Sequence, residues 1–305
     1  MEKEKQPHRS GYVAVIGRPN VGKSTLINVL LGQKIAAVSP RPQTTRRRQL
    51  GILSLPEAQL VFVDTPGLHI AQHKLGEFMN SEAADSLQDA DVILWLIDSR
   101  EPLTEEDRLI ASRLLSLKRR PFTLIVMTKT DSASEEDLQQ RAKAAGEVLP
   151  GMEIINISAF TRKGVDELLQ KVISLLPAGE ALYDTDTITD YYERDIAAEL
   201  IRESALIYLR DEVPHCMAVR VDQYQERSET QAYIEATLFV ERESHKGIVI
   251  GQGAEMLKKI GTRARQEIEA MSGRSVFLDL HVKVNKNWRN SPDALRLLGY
   301  ARAKE

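Results

Sequence analysis

Short runs of apolar residues alternate with amphipathic segments as far as about residue 176. The runs are rich in Val and Ile, and each ends at a polar residue or a glycine. They cover residues 12–16, 60–63, 92–97, 122–127 and 154–157. Continuous runs of this length are typical of strands buried on both faces. The pattern therefore predicts an α/β domain, a mostly parallel sheet with helices on both faces.

The segments between the runs have helical spacing, as in Leu26, Leu30 and Leu31. Residues 48–53 predict an additional edge strand beside the run at 60–63. The alternation stops at Pro177, and a polar stretch rich in Thr and Asp follows. We predict a mobile tail over residues 1–10, a first domain over 11–180, a linker over 181–192 and a second domain over 193–305.

The second domain has a different order of elements and is predicted to be a smaller α+β domain. A glycine-rich loop at 247–251 lies between its second strand and a long helix. The predicted helices cover 196–209, 254–271 and 292–298, and the predicted strands cover 217–224, 231–240 and 276–284.

Composition narrows the function. The chain has 305 residues, with 41 Lys and Arg against 44 Asp and Glu, so any nucleic-acid site must be a local basic patch. The single cysteine, Cys216, excludes an internal disulfide and fits a reducing cytosol. The N-terminal residues lack the apolar core of a secretory signal, and no apolar run could span a bilayer. We expect a cytoplasmic monomer and leave open peripheral contact with the inner membrane.

The sequence GRPNVGKS follows the first predicted strand and matches the G-x-x-x-x-G-K-[ST] phosphate-binding loop. Its backbone N–H groups and the following helix start favour an anion. Lys23 is expected to reach the β- and γ-phosphates, and Ser24 to ligate Mg²⁺. The predicted phosphate-binding residues are Gly17, Arg18, Pro19, Asn20, Val21, Gly22, Lys23, Ser24 and Thr25.

A second motif, DTPGL, follows the strand at 60–63. Asp64 can hold Mg²⁺ through water, and the Gly67 N–H can bond a γ-phosphate oxygen. In the upstream PQTTR segment, Thr45 is our first choice to complete the Mg²⁺ shell and Thr44 the second. We expect Arg46–Arg48 to be a solvated or RNA-facing charge run. The DTPGL motif adds these candidate nucleotide-binding residues: Asp64, Thr65, Pro66, Gly67 and Leu68.

Residues that follow two further predicted strands indicate which base the nucleotide carries. The Asp131 carboxylate can accept two hydrogen bonds from guanine, a pair that adenine does not offer. The Lys129 stem can cover the base, and the Ala159 N–H can donate to its carbonyl. Their order at successive strand ends favours guanine over the alternative, an ATP-binding P-loop protein. The candidate residues are Thr128, Lys129, Thr130, Asp131, Ser158 and Ala159.

Together GRPNVGKS, PQTTR, DTPGL, TKTD and SA resemble a translation-factor-type bacterial GTPase, and the tandem with the second domain resembles the Era family. That family usually has Asn at the position of Thr128, which braces the phosphate loop and touches the base. Because Thr is shorter, we expect guanine to be bound, but less tightly.

Leu68 occupies the position at which many GTPases carry a water-orienting Gln. The resemblance therefore implies slow intrinsic turnover by another route. Asn20 occupies the position that coordinates K⁺ in related GTPases; simple loop geometry is an equally weighted alternative. We expect His69 to have no chemical role. The candidate catalytic residues are Lys23, Thr45, Gly67 and Asn20.

The sequence GIVIGQGA resembles the GxxG loop between two helices of a KH domain, with Ala254 in place of the last Gly. The resemblance implies the bacterial, type-2 order helix–strand–strand–helix–loop–helix–strand. Five basic residues against one acid between Lys246 and Arg265 predict phosphate contacts. Bases are expected in an apolar groove lined by Ile248, Ile250 and Ile260. The candidate RNA-binding residues are Lys246, Gly247, Ile248, Ile250, Gly251, Gln252, Gly253, Ala254, Lys258, Lys259 and Arg263.

The resemblance implies that the second domain binds the 3′ end of 16S ribosomal RNA and that the protein acts in assembly and maturation of the 30S subunit. The residues themselves indicate only single-stranded RNA. Two alternatives stay open. The second domain could contact a protein or membrane partner, or the chain could be an ATP-dependent kinase.

Overall fold

The computed structural model describes residues 7–39, 44–68, 71–119 and 121–300. His69, the first six residues of the predicted tail and part of the PQTTR segment lie outside the described residues. Contacts divide the chain into two compact units. The second unit runs from Tyr191 onward and also takes in the described parts of Ala37–Thr44 and Ala71–Phe78.

The first unit is built on a six-stranded sheet with the order β2-β3-β1-β4-β5-β6. All neighbouring strands are parallel except β2, which runs antiparallel to β3 at the edge. The strands are β1 Arg9–Ile16, β2 Gln49–Ser54, β3 Ala58–Asp64, β4 Val92–Asp98, β5 Phe122–Thr128 and β6 Glu153–Asn156. The helices are α1 Lys23–Leu31, α2 Lys74–Gln88, α3 Glu105–Leu115, α4 Glu135–Val148 and α5 Val165–Leu175. The residues of α2 up to Phe78 group with the second unit.

Both faces of this sheet are buried, as the continuous apolar runs predict. Val13 and Val15 of β1 pack into one hydrophobic cluster, and Ala14 and Ile16 pack into another. Successive side chains of a strand point to opposite faces, so the two clusters lie on opposite sides of the sheet. The strand order reverses at β1, which places the carboxyl ends of β1, β3 and β4 at a topological switch point where open α/β sheets bind ligands.

The structure corrects two predicted boundaries of the first unit. Strand β1 begins at Arg9, which pairs with Ala58, so residues 9 and 10 belong to the sheet and not to a tail. Residues 181–190, predicted as a linker, group with the first unit. There the Ile188 carbonyl accepts a hydrogen bond from the Ile52 N–H, and the Asp190 carboxylate accepts one from the Leu50 N–H. These bonds satisfy backbone groups of the edge strand β2.

The second unit has a three-stranded sheet, β7-β8-β9, in which β8 is antiparallel to β7 and parallel to β9. Helices α6 and α8 pack on one face of it through a single hydrophobic cluster. The elements are α6 Glu193–Tyr208, β7 Ala218–Ser228, β8 Gln231–Val240, α7 Glu243–Ile250, α8 Glu255–Ser272, β9 Ser275–Val284 and α9 Pro292–Leu297. Among the described residues, no helix is both long and apolar enough to cross a membrane.

Helix α7 is the helix that the KH resemblance implies before the loop, but the pattern of residues did not place it. We predicted a loop over 247–251, but Gly247 lies inside α7 and the helix ends only at Ile250. The run Ile248-Val249-Ile250 is β-branched, and glycines flank it, so its local preference is against a helix. Burial of His245 and Val249 at helical spacing overrides that preference.

Candidate functional site

The loop after β1 has the form of an anion-binding turn. Gly22 caps α1 with a φ of 104°, in the left-handed region. A residue with a β-carbon would be strained in that conformation. Helix α1 then begins at Lys23, so the positive end of its dipole faces the loop. The sequence motif and the local backbone geometry agree over this stretch.

Lys23 is buried at the centre of this loop. Its Nζ donates to the carbonyl oxygens of Gly17 and Arg18, each at 3.1 Å. Burial lowers the pKa of Lys23 to about 8, while the nearby Asp64 carboxylate acts in the opposite direction. The ammonium group is thus held among polar atoms but is poorly solvated. An anion arriving in the loop would offset that loss of solvation.

Three oxygen atoms meet beside the loop. The Ser24 hydroxyl lies 2.7 Å from Asp64 Oδ2 and 3.0 Å from Thr45 Oγ1. The Thr45 hydroxyl in turn donates to Asp64 Oδ2 at 3.0 Å. Two hydroxyls and one carboxylate are hard oxygen donors of the kind that Mg²⁺ prefers. The three residues predicted as metal ligands therefore fit that ion, and Thr45 is the threonine that joins Ser24 and Asp64.

The segment after β3 packs closely on the phosphate loop. A β-carbon at Gly67 would lie 2.8 Å from the Pro19 nitrogen, so only glycine fits there without a shift. The buried Thr65 hydroxyl donates to the Val15 carbonyl at 2.8 Å and ties the segment to β1. Leu68 is buried in the hydrophobic cluster on one face of the sheet, and its apolar side chain has no group that could orient water.

Two other predicted residues have structural partners. The Arg18 guanidinium pairs with Glu101 at 2.6 Å and with the buried Asp107 at 3.5 Å, so contacts with acidic residues fix its direction. Arg46 is buried, contrary to our expectation that Arg46–Arg48 form a solvated or RNA-facing run. Of the three, only Arg48 is exposed. A run of charged residues in the sequence does not indicate which of their side chains are buried in the fold.

A cavity of ≈ 230 Å³ lies where the base is predicted to bind. It brings together residues of the phosphate loop, the β5 end and the β6 end. Its lining also includes Leu26, Ser132, Ile157 and Phe160, which our motif analysis did not single out. The Phe160 side chain is 89 % exposed and immediately follows Ala159, a position that a wider reading of the SA motif could have included.

Thr128 braces the phosphate loop in the way expected of the Asn it replaces. Its hydroxyl lies 2.8 Å from the Val21 carbonyl and 3.1 Å from the Ile97 carbonyl. One hydroxyl proton is shared between two acceptors, whereas an amide carries two protons. Thr128 therefore keeps the hydrogen bond to the phosphate loop, but it has one hydrogen-bond donor fewer than an Asn would have.

Asp98, at the end of β4, is a functional residue that sequence reasoning missed. Its carboxylate accepts from Lys129 Nζ at 2.8 Å and from Arg100 at 2.8 Å. Burial alone would raise the pKa of Asp98, but hydrogen bonds from Arg100 and Lys129 outweigh it and hold the pKa well below the usual range. The ionised Asp98 thus positions Lys129 beside the base cavity. An acid immediately after an apolar run was the available signal.

Asp131 is prepared to act as an acceptor. Hydrogen bonds from the Ser158 and Ser132 hydroxyls lower the pKa of Asp131, so the carboxylate is ionised at neutral pH. The two hydrogen-bond donors on one edge of guanine match the two oxygens of the Asp131 carboxylate. Ser158 thus contributes to the site through Asp131.

The second unit contains a helix–turn–helix in which a short 3₁₀ turn, Gln252–Ala254, joins α7 and α8. Ala254 has φ 64°, in the left-handed region that favours glycine. This explains why a glycine suits the last position of a GxxG loop. Ala adopts the same backbone conformation here at a cost of roughly 1–2 kcal/mol.

A groove of ≈ 330 Å³ lies between α8 and β9. Lys258 and Arg265 line it on the helix side, with Thr262 between them. They recur at helical spacing and so share one face of α8. The full lining is Ala254, Leu257, Lys258, Gly261, Thr262, Arg265, Val276, Phe277, Leu278 and Leu280.

The groove differs from our prediction in its members. Ile260 is fully buried in the core, Ile248 is 49 % exposed on α7, and Ile250 packs against the core, so none of the three lines the groove. Of the basic residues predicted to contact RNA, Lys258 lines the groove, whereas Lys259 and Arg263 lie outside it. Arg263 pairs with Glu267 on its own helix at 3.5 Å. The apolar wall comes instead from β9, which packs beside α8 only in the folded unit.

Comparisons with known proteins agree with both units. The family described as "50S ribosome-binding GTPase" matches residues 12–129, and the KH domain family matches residues 212–289. GTPase Era of Heliobacterium modesticaldum is 42 % identical over 292 residues, which is 96 % of this chain and 97 % of that protein. GTPase Era of Thermoanaerobacter pseudethanolicus is 44 % identical over 295 residues, again 96 % and 97 % of the two chains.

Two solved structures are similar over nearly the whole chain. One is Era in complex with MgGDPNP and nucleotides 1506–1542 of 16S ribosomal RNA, with a TM-score of 0.91 and 40 % identity over 97 % of this chain and 100 % of that one. The other is a point variant of Aquifex aeolicus Era bound to GDP·AlF4⁻, with a TM-score of 0.91 and 40 % identity over 96 % of this chain and 100 % of that one.

Proposed function

The chain belongs to the Era family of GTPases, and from that premise we propose that its second unit binds the 3′ end of 16S ribosomal RNA and that the protein acts in assembly of the 30S subunit. The observation that carries the proposal is the groove between α8 and β9, which joins basic side chains to an apolar wall. Single-stranded RNA presents the matching pair of features, a phosphate backbone and unstacked bases.

The first unit supplies the GTPase chemistry. The Asp131 carboxylate selects guanine, and Thr128 holds the phosphate loop in register with the base cavity. The Lys23 ammonium stabilises negative charge as the γ-phosphoryl group is transferred to water. When bound, Mg²⁺ would be held by Ser24, Thr45 and Asp64 and would neutralise charge on the β- and γ-phosphates.

We further propose that Asn20 contributes a ligand to K⁺ and that intrinsic turnover is slow. Leu68 is buried and cannot orient the attacking water, so charge stabilisation has to supply more of the catalysis. Asn20 lies in the phosphate loop with φ 65°, and its carbonyl accepts a hydrogen bond from Lys129 Nζ. A faster reaction in KCl than in NaCl, lost in Asn20→Ala, is the expected result.

Nucleotide state is expected to change RNA affinity. Thr45 directly follows Ala37–Thr44, the stretch whose described residues group with the second unit. A contact that Thr45 makes only when the third phosphate and its metal are bound therefore reaches the second unit through the continuous chain. The GTP-bound and GDP-bound proteins should differ in their affinity for the same RNA.

The deciding experiment titrates the fragment 1506–1542 of 16S ribosomal RNA against the full chain at fixed salt, loaded with GDPNP or with GDP. The double variant K258A/R265A removes the two basic side chains of the groove. K259A/R263A is the matched control, because it removes equal charge from α8 outside the groove.

We expect the groove variant to weaken RNA binding by at least tenfold, since each lost phosphate contact costs affinity, and the control variant to weaken it less. Equal loss in both variants would mean that the RNA follows the whole helix and not the groove. No RNA binding by the unmodified protein in either nucleotide state would contradict the proposed function and favour a protein or membrane partner.

A further inference from the structure

Three side chains form a stack across the face of the second sheet that the helices leave uncovered. Tyr233 of β8 pairs in register with Phe277 of β9, and their rings stack with centroids 5.7 Å apart and planes 16° apart. The Arg227 guanidinium of β7 lies 4.7 Å from the Tyr233 ring centroid. We call these three residues the aromatic ladder.

The ladder lies on the outer face of the sheet. Ala232 and Ile234, on either side of Tyr233 in β8, are buried in the cluster beneath the helices. Successive side chains alternate between faces, so Tyr233 points away from the helices. Arg227 sits at a register shift in β7, an irregularity of the kind that redirects a side chain.

The ladder has one free end. Its last ring, Phe277, is 64 % exposed, although aromatic rings of this size are ordinarily covered. Strand β9 is the edge of the sheet, so no further strand follows Phe277. Tyr233 covers one face of the Phe277 ring, and the other face is available to a flat ligand.

The ladder is also continuous with the RNA groove. Phe277 is itself one of the groove-lining residues, as are Lys258 and Arg265 of α8. A chain that leaves the groove over the β9 edge therefore meets the Phe277 ring first. A nucleobase is the flat group that such a chain carries, and stacking on an aromatic ring tolerates any base.

Acidic residues limit the surface on its other side. Glu235 and Asp279 come next along the same face of β8 and β9, and both lie near His281, at 3.4 and 3.6 Å. Carboxylates at this place disfavour a phosphate backbone. The favourable surface for RNA is thus short and confined to the ladder.

We propose that the aromatic ladder is a base-stacking site for the RNA nucleotide that follows those held in the groove. This inference rests on the proposed function and extends it by one nucleotide. The stack of Arg227 on Tyr233 on Phe277 supports the added base from below, and the edge position of β9 leaves room above. The KH-type groove itself is expected to hold about four nucleotides.

The test compares oligonucleotides of about four and about eight nucleotides, both taken from the 3′ end of the fragment 1506–1542, since the KH-type groove holds about four. Binding is followed by fluorescence anisotropy and, in the longer RNA, by quenching of 2-aminopurine placed at either end. The protein variants are Phe277→Leu, which keeps an apolar side chain but removes stacking, and Phe277→Tyr, which keeps stacking. Phe122→Leu is the control, because Phe122 is 60 % exposed in the first unit.

The expected result is that Phe277→Leu weakens binding of the longer RNA about tenfold and removes the quenching. Binding of the shorter RNA should fall severalfold at most, because Phe277 also lines the groove. Phe277→Tyr and Phe122→Leu should behave like the unmodified protein. Thermal unfolding of each variant separates loss of stacking from loss of the fold.

Unchanged affinity of Phe277→Leu for the longer RNA, with K258A/R265A still weakening it, would overturn the ladder and leave the groove in place. Equal weakening of both RNA lengths would also overturn it, because Phe277 would then act within the groove. Insensitivity of RNA binding to every one of these variants would overturn the proposed function as well.

Discussion

The nucleotide site and the groove between α8 and β9 fix their functional side chains in opposite ways. Lys23, Asp64 and Thr128 are buried, and each is tied by hydrogen bonds to the loop or to a neighbouring functional group. Lys258 and Arg265 are exposed side chains on one face of a helix. The first arrangement places charge with little reorganisation, and the second adapts to a flexible chain. Substitutions should therefore have large, specific effects in the first site and smaller, graded effects in the second.

Lys23→Met gives the largest expected effect. The variant keeps the length of the side chain and removes the charge, so we expect single-turnover GTP hydrolysis to fall about a thousandfold. Without nucleotide, the same variant should be more stable to thermal unfolding at pH 7, because the lowered pKa of Lys23 shows that its charge is poorly solvated in the fold. Lys171→Met, at a surface ion pair with Glu153, is the control for both measurements. Hydrolysis at the normal rate would show that the buried ammonium is not part of the chemistry.

Asp131→Asn tests base selection, with the next largest effect. The change removes an ionised acceptor of two hydrogen bonds, so GTP affinity should fall on the order of a hundredfold. Affinity for xanthosine triphosphate should rise, because that base offers an acceptor where guanine has its amine. Competition binding with GTP, xanthosine triphosphate and ATP measures all three affinities. Unchanged GTP affinity, or ATP binding that the variant leaves intact, would support the kinase alternative.

The affinity for nucleotide should depend on pH through Lys23. In the free protein the pKa of Lys23 is about 8, and a bound phosphate favours the protonated form and raises that pKa. Affinity is then full below pH 8 and is lost as pH rises through the pKa of the free protein. We expect about a tenfold decrease between pH 7 and pH 9. In Lys23→Met only the titration of the base and of the phosphates should remain, and an unaltered pH profile there would contradict the assignment.

Ala254→Gly gives the smallest expected effect and probes the groove between α8 and β9. The change relieves the left-handed strain of φ 64° at Ala254, which is worth roughly 1–2 kcal/mol before the added freedom of Gly in the unfolded chain is subtracted. A gain in stability of about 0.5 kcal/mol and a severalfold increase in RNA affinity are expected. Chemical denaturation and the RNA titration measure the two. Lower RNA affinity in Ala254→Gly would mean that the methyl group contacts the RNA.

Part of the site could be predicted because its residues are contiguous. The loop at 17–24 and the motifs after β3, β5 and β6 each lie within a few residues, and each follows a buried strand. The parallel order of the strands then brings their carboxyl ends to one edge. The sequence motifs did not identify Asp98, because this residue acts on Lys129, which is distant in sequence, and belongs to no motif itself.

The RNA groove was predicted only in outline. The basic bias and the glycines of the 247–254 stretch indicated a KH-type loop, but none of the three residues expected to line the groove does so: Ile248, Ile250 and Ile260 are all absent from its lining. Helical spacing along α8 separates residues that are adjacent in sequence, so Lys258 faces the groove and Lys259 does not. The pattern of residues did not place helix α7, because β-branched residues and Gly have a low preference for the helix that they form here.

By itself, the sequence determined the α/β and α+β order of the two units, the phosphate loop and the guanine-specific motifs, because backbone turns and strand periodicity are local properties. Only the tertiary structure decided which charges are buried, as for Lys23 and Arg46, and which side chains meet, as for Ser24, Thr45 and Asp64. It alone also brought Arg227, Tyr233 and Phe277 together from three strands. Burial and cross-strand contacts depend on packing between segments far apart in the chain, and a linear pattern carries no direct record of them.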